Sequence, residues 1–146
     1  MVLGSSSHPV SIPQILLMDY NEEDLRHWSH TLKESSFNYS VLESTSVESA
    51  LNVCRENVVD CVLLDLDMPV SGFHALLELI PNPAQPPIAV IVLTHLYHPH
   101  LFELAKENGA QACLLKRRTS TKDLDMAIQQ AILTVKSTQE NSGGRC

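Results

Sequence analysis

The sequence predicts a doubly wound α/β domain: a five-stranded parallel sheet covered by helices on both faces. Three observations carry that expectation. Five apolar runs of strand length alternate with longer stretches of helical period. The runs are apolar at successive positions instead of every second one, so both faces of each strand are expected to be buried. The 146 residues, 44% of them hydrophobic, suit one compact core and not two.

Residues 1–14 are rich in Ser and Pro and read as a disordered lead-in; the folded part is expected over 15–135, and the polar, Gly-ended stretch 136–146 as a flexible tail. "ILLMD" (15–19) is a first buried strand. "NEEDLRHWSHTLKES" (21–35) is a helix with acidic residues in its first turn and Leu25, Trp28 and Leu32 on one face, leaving His27 and His30 at the surface. "YSVLES" (39–44) is the second strand, followed by a helix carrying Val47, Ala50, Leu51, Cys54 and Val58. "CVLLD" (61–65) is the third strand, and a short helix runs from Phe73 through Leu76 and Leu77 to Ile80, where "PNPAQPP" stops it. "IAVIVLT" (88–94) is the fourth strand, Pro99 to Asn108 a helix closed by Gly109, and "ACLLK" (112–116) the fifth strand. A last helix from near Thr121 presents Leu124, Ala127, Ile128, Ala131, Ile132 and Val135 to the core.

Ten Lys+Arg against 17 Asp+Glu give a formal charge of -7, which disfavours a nucleic-acid or anionic-membrane surface. The one basic cluster, Lys116, Arg117, Arg118 and Lys122, reads as a solvated loop before a capped helix. The four cysteines (Cys54, Cys61, Cys113, Cys146) form no CxxC pair, so reduced thiols in a cytoplasmic protein are expected. The longest apolar run, Ile88 to Leu93, is too short to span a bilayer.

Four of the five strands end on or beside a polar side chain: Asp19, Asp65, Thr94 and Lys116. Parallel strands put these ends on one edge, where doubly wound sheets place their ligands. Two carboxylates alone would repel; with a lysine, a hydroxyl and a divalent cation they balance. Carboxylate oxygens favour Mg²⁺. A carboxylate beside Mg²⁺, with Lys and Thr to receive phosphoryl oxygens, is suited to accept a phosphoryl group, a reaction catalysed mainly by positioning and charge neutralisation. Asp65 is then the nucleophile. A purely structural ion pair between Asp65 and Lys116 is the alternative.

"ILLMDYNEED", "CVLLDLDMP", "VIVLT" and "GAQACLLK" occur in the order and at nearly the spacings of the receiver (CheY-like) domains of two-component response regulators, which the chain resembles over about residues 15–135. The resemblance implies a flavodoxin-like sandwich with strand order 2-1-3-4-5. It implies Asp65 as phosphoacceptor, Thr94 as the switch hydroxyl and Lys116 as the phosphate-pairing lysine. Mg²⁺ would be held by Asp19, Asp65 and the backbone carbonyl of Asp67. The donor would be a histidine kinase or phosphotransfer protein, and the output a downstream protein partner, with no nucleic acid and no membrane involved.

The chain departs from that pattern at defined places. Tyr20 stands where receivers carry a second acid, the stronger metal ligand, so weak Mg²⁺ binding is expected; a phenol stays protonated at neutral pH. Glu22 and Glu23 are candidate substitutes, though both suit the solvated first turn of a helix. His95 replaces a small residue after Thr94, Cys113 the switch aromatic and Arg117 the proline after the lysine, and "MPVSGF" is one residue short. His95, His98 and His100 lie close in sequence, and read as loop histidines in preference to a transition-metal site. Two function classes follow: a phosphoacceptor signalling domain, or a receiver-fold interaction module that works without phosphorylation. Turnover of a small molecule is disfavoured, because no nucleotide loop or cofactor fingerprint is present.

Overall fold

The computed structural model describes residues 12–143. Five strands, β1 (Gln14–Met18), β2 (Ser40–Ser44), β3 (Cys61–Leu64), β4 (Ala89–Thr94) and β5 (Ala112–Leu115), form one sheet in the order β2-β1-β3-β4-β5. Every pairing is parallel. The helices α1 (Glu22–Lys33), α2 (Val47–Glu56), α3 (Pro69–Leu79), α4 (Pro99–Glu107) and α5 (Thr121–Gly143) alternate with them. This is the expected fold class and strand order.

Successive side chains of a strand point to opposite faces, and here both faces find a core. Ile15, Leu17, Leu63, Ile91 and Leu93 pack with Trp28 and Leu32 of α1 and Leu124 and Ile128 of α5. Leu16, Met18, Val62, Leu64, Val90 and Val92 pack with Ala50 of α2, Leu76 of α3 and Ala105 of α4. Strands buried on both sides are the reason the runs read as continuously apolar.

Several boundaries differ from expectation. Helix α3 begins at Pro69, because proline's fixed φ suits the first helical position and its missing N–H is not needed there. Val58 lies past the end of α2 and is exposed, and Leu77 faces solvent instead of the core. Helix α5 runs on to Gly143, so 136–143 are helical where a flexible tail was expected: Gln139 donates to the Pro87 carbonyl at 3.0 Å, and "VKSTQE" contains no helix breaker. Of the expected lead-in, residues 1–11 lie outside the described residues, as do residues 144–146, including Cys146. Cys54, Cys61 and Cys113 are free thiols.

Candidate functional site

Sheet register brings the predicted residues together. Met18 pairs with Leu64, and Leu64 with Val92, so Asp19 and Asp65 are each the first residue past the ladder on one edge. Thr94 pairs with Leu115, which puts Lys116 one step beyond on the same edge. The Asp65 N–H still donates to the Met18 carbonyl, and the Asp19 N–H to that of Ser44, so both side chains rise from well-tied backbone.

Lys116 lies at the centre, buried. Its Nζ is 2.7 Å from Asp19 Oδ2, 3.0 Å from Asp24 Oδ2, 3.2 Å from Asp67 Oδ2 and 3.5 Å from Asp65 Oδ1. Burial works against the lysine's charge, but Asp19, Asp65 and Asp24 more than offset it, so its pKa stands above the ordinary lysine value. Asp65 shows the opposite balance. Burial, helped by the nearby charges of Asp19 and Asp67, pushes its carboxyl up to about 7, against the pull of the Asp67 amide and Lys116. Burial also works against ionised Asp67, yet the Thr94 hydroxyl, the His95 amide and Lys116 together hold it below the usual carboxylate value.

Several groups stand where sequence reasoning did not put them. Asp24, not Glu22 or Glu23, leans in from α1: Asn21 caps that helix by accepting from the Asp24 N–H at 2.9 Å, which fixes Asp24 in the turn facing Lys116. The Asp67 carboxylate itself is turned into the pocket, where only its backbone carbonyl was expected. Its Oδ1 accepts the Thr94 hydroxyl and the His95 N–H, the latter at 2.8 Å. His95 is not a free loop histidine, since its Nε2 lies 2.8 Å from Asp24 Oδ2 and ties the β4–α4 loop to α1. His98, by contrast, caps α4. Tyr20 turns toward the α2–α3–α4 side of the sheet, where its ring packs against the core; burial raises the phenol's pKa above its ordinary value, with Ser71 pulling against it and the charge of Asp65 adding to it.

Around Lys116 the pocket gathers carboxylate oxygens from Asp19, Asp24, Asp65 and Asp67, the hard donor chemistry Mg²⁺ takes. Asp24, Asp67 and His95 place one donor atom each within 4.8 Å of one another. An apolar groove lies between α4, β5 and α5, lined by Tyr97, Phe102, Cys113, Leu114 and Met126.

A model of the response regulator receiver domain family matches residues 15–129. The chain is similar to a response regulator receiver domain protein of Clostridium thermocellum, with 30% identity and a TM-score of 0.74 over 86% of this chain and 98% of that one. It also shares its fold with the signal receiver domain of an HD domain-containing protein of Pseudomonas fluorescens (24% identity, TM-score 0.74, 87% and 99% covered). Chemotaxis protein CheY4 of Vibrio cholerae is similar as well (22% identity, TM-score 0.71, 83% and 99% covered). Among curated proteins none matches the sequence.

Proposed function

Because the chain belongs to the response regulator receiver domain family, we propose that it works in two-component phosphorelay signalling by accepting a phosphoryl group on Asp65. The observation that carries this reading is the placement of Asp65: a buried carboxylate at the end of a rigid strand, next to a fully charged lysine. In the proposed step an Asp65 carboxylate oxygen attacks phosphorus, the P–N bond of a phosphohistidine donor breaks, and its electron pair leaves with the imidazole. Lys116 pairs with the transferred oxygens, and Thr94 turns from Asp67 toward them. Asp19, Asp65 and the Asp67 backbone carbonyl would hold Mg²⁺, weakly because Tyr20 adds no charge; the ion supplies neutralisation of the phosphoryl oxygens. The donor is a histidine kinase or phosphotransfer protein in the cytoplasm.

The output partner is a protein that docks on the groove between α4, β5 and α5, where Tyr97 and Met126 are 62% and 60% exposed. The formal charge of -7 argues against nucleic acid there.

One observation favours a second reading, a module that binds its partner without phosphorylation: Lys116 already pairs with four carboxylates, and Thr94 is taken by Asp67. Intact-mass measurement after incubation with acetyl phosphate and millimolar Mg²⁺ separates the two. One added phosphoryl group that disappears in Asp65→Asn supports the phosphoacceptor. No added mass in the wild type leaves the phosphorylation-independent module.

A further inference from the structure

Helices α3 and α4 leave large apolar side chains uncovered. Val70 and Leu77 of α3 are 86% and 51% exposed, and Leu104 of α4 is 44% exposed. These residues are not scattered: Val70, Phe73 and Leu77 from α3 meet Leu101 and Leu104 from α4 along one groove, with His74 as the polar residue in its lining. Spacings of three and four residues put each set on one face of its helix. The groove is separate from the one between α4, β5 and α5, because Leu101 and Leu104 line the first and Tyr97 and Phe102 the second. A contiguous exposed apolar patch of this kind marks an interaction surface.

The charges at its border select what enters. Glu78 follows Leu77 on α3, and Glu103 and Glu107 flank Leu104 on α4. All three are exposed, and among the described residues none makes an ion pair. Helix α3 contains no Lys or Arg, and Lys106, the one lysine of α4, lies toward Cys113 on the β5 side of that helix. The border is therefore acidic and unneutralised. A second copy of the chain would bring the same glutamates face to face, on a molecule whose formal charge is already -7. An extended segment would find side chains there but no free strand edge for its backbone, whereas a helix brings its own backbone hydrogen bonds.

We propose that the α3–α4 groove is a docking site for an amphipathic helix of a partner protein, its apolar stripe lying in the groove and its Lys or Arg side chains beside Glu78, Glu103 and Glu107. Helix α3 starts at Pro69, just past Asp67, and α4 at Pro99, just past Thr94 and His95, so the docked helix rests on both helices that leave the acidic pocket. Docking there needs no phosphoryl group on Asp65.

The test uses the full chain, without phosphodonor, and a fluorescently labelled synthetic helix with a Leu stripe bordered by Lys; its counterpart carries Glu in place of Lys. Anisotropy should show the Lys peptide binding and the Glu peptide binding at least about tenfold more weakly. In a two-dimensional NMR spectrum the Lys peptide should move the amides of Phe73, Leu77, Leu101 and Leu104. Val70→Ser combined with Leu77→Gln should weaken the Lys peptide about tenfold through lost apolar burial, while Tyr97→Ser combined with Met126→Gln, in the other groove, should leave its affinity unchanged. Glu103→Lys combined with Glu107→Lys keeps the apolar lining and should reverse the preference between the two peptides. Amide changes centred on the α4–β5–α5 groove, or unchanged affinity in both the Val70→Ser, Leu77→Gln and the Glu103→Lys, Glu107→Lys variants, overturn the proposal. So does sedimentation showing a wild-type dimer that Val70→Ser with Leu77→Gln dissociates, which would give the face to a second copy.

Discussion

Lys116 Nζ lies 2.7 Å from Asp19 Oδ2, with both side chains 98% or more removed from solvent. The ion pair joins the ends of β5 and β1, two strands that are not neighbours in the sheet. It binds the pocket together across β3 and β4.

Removing Lys116 leaves Asp19, Asp65, Asp24 and Asp67 facing one another without a cation. Lys116→Met should therefore destabilise the protein by about 3–5 kcal/mol at pH 7, the range for breaking a buried pair from one side. Urea denaturation in metal-free buffer measures this, and the deficit should shrink at pH 4 as carboxylates protonate. A loss under 1 kcal/mol would mean that the carboxylates spread apart into water.

The Asp65 carboxyl, pushed up to about 7 from an ordinary value of 3.8, makes the folded state bind more protons than the unfolded one. Its contribution to stability is fully present below pH 3.8 and is lost as pH rises toward 7. Asp65→Asn should remove that loss, giving a flatter urea-midpoint profile between those limits and a higher midpoint at pH 8. Profiles in EDTA that run parallel for wild type and variant would contradict the shifted carboxyl.

Tyr20→Asp puts a further carboxylate next to Asp19 and Asp65. Mg²⁺ affinity should rise about tenfold or more, since the ion gives up water only for compensating charge. Isothermal titration against the wild type reads the change; unchanged affinity would show that Lys116, and not Tyr20, limits the cation.

Gly72 lets α3 lie against the backbone that follows β3. A Cβ there would stand 2.5 Å from Leu66 Cδ1 and 3.1 Å from the Asp65 carbonyl oxygen. Gly72→Ala should cost about 1–3 kcal/mol through overpacking. It should also move the amide resonance of Asp65 more than those of β2, as a two-dimensional NMR spectrum would show.

The inner strands β1, β3 and β4 and the edge that gathers Asp19, Asp65, Thr94 and Lys116 were legible in the chain, because burial on both faces forces continuous apolar runs there and parallel pairing puts every strand end on one side, whereas the edge strands β2 and β5 are only partly buried. Local pattern could not reveal Asp24 or His95. An acid in the first turn of a helix and a histidine in a loop both look solvated when only neighbours in sequence are considered. Their roles come from Lys116, 92 positions beyond Asp24, and from Asp24, 71 positions before His95. The same limit hid the inward turn of the Asp67 carboxylate. Residue type and period are properties of a segment and determine its fold class. Which oxygen meets which proton depends on distances between segments, and only the packed tertiary structure sets those.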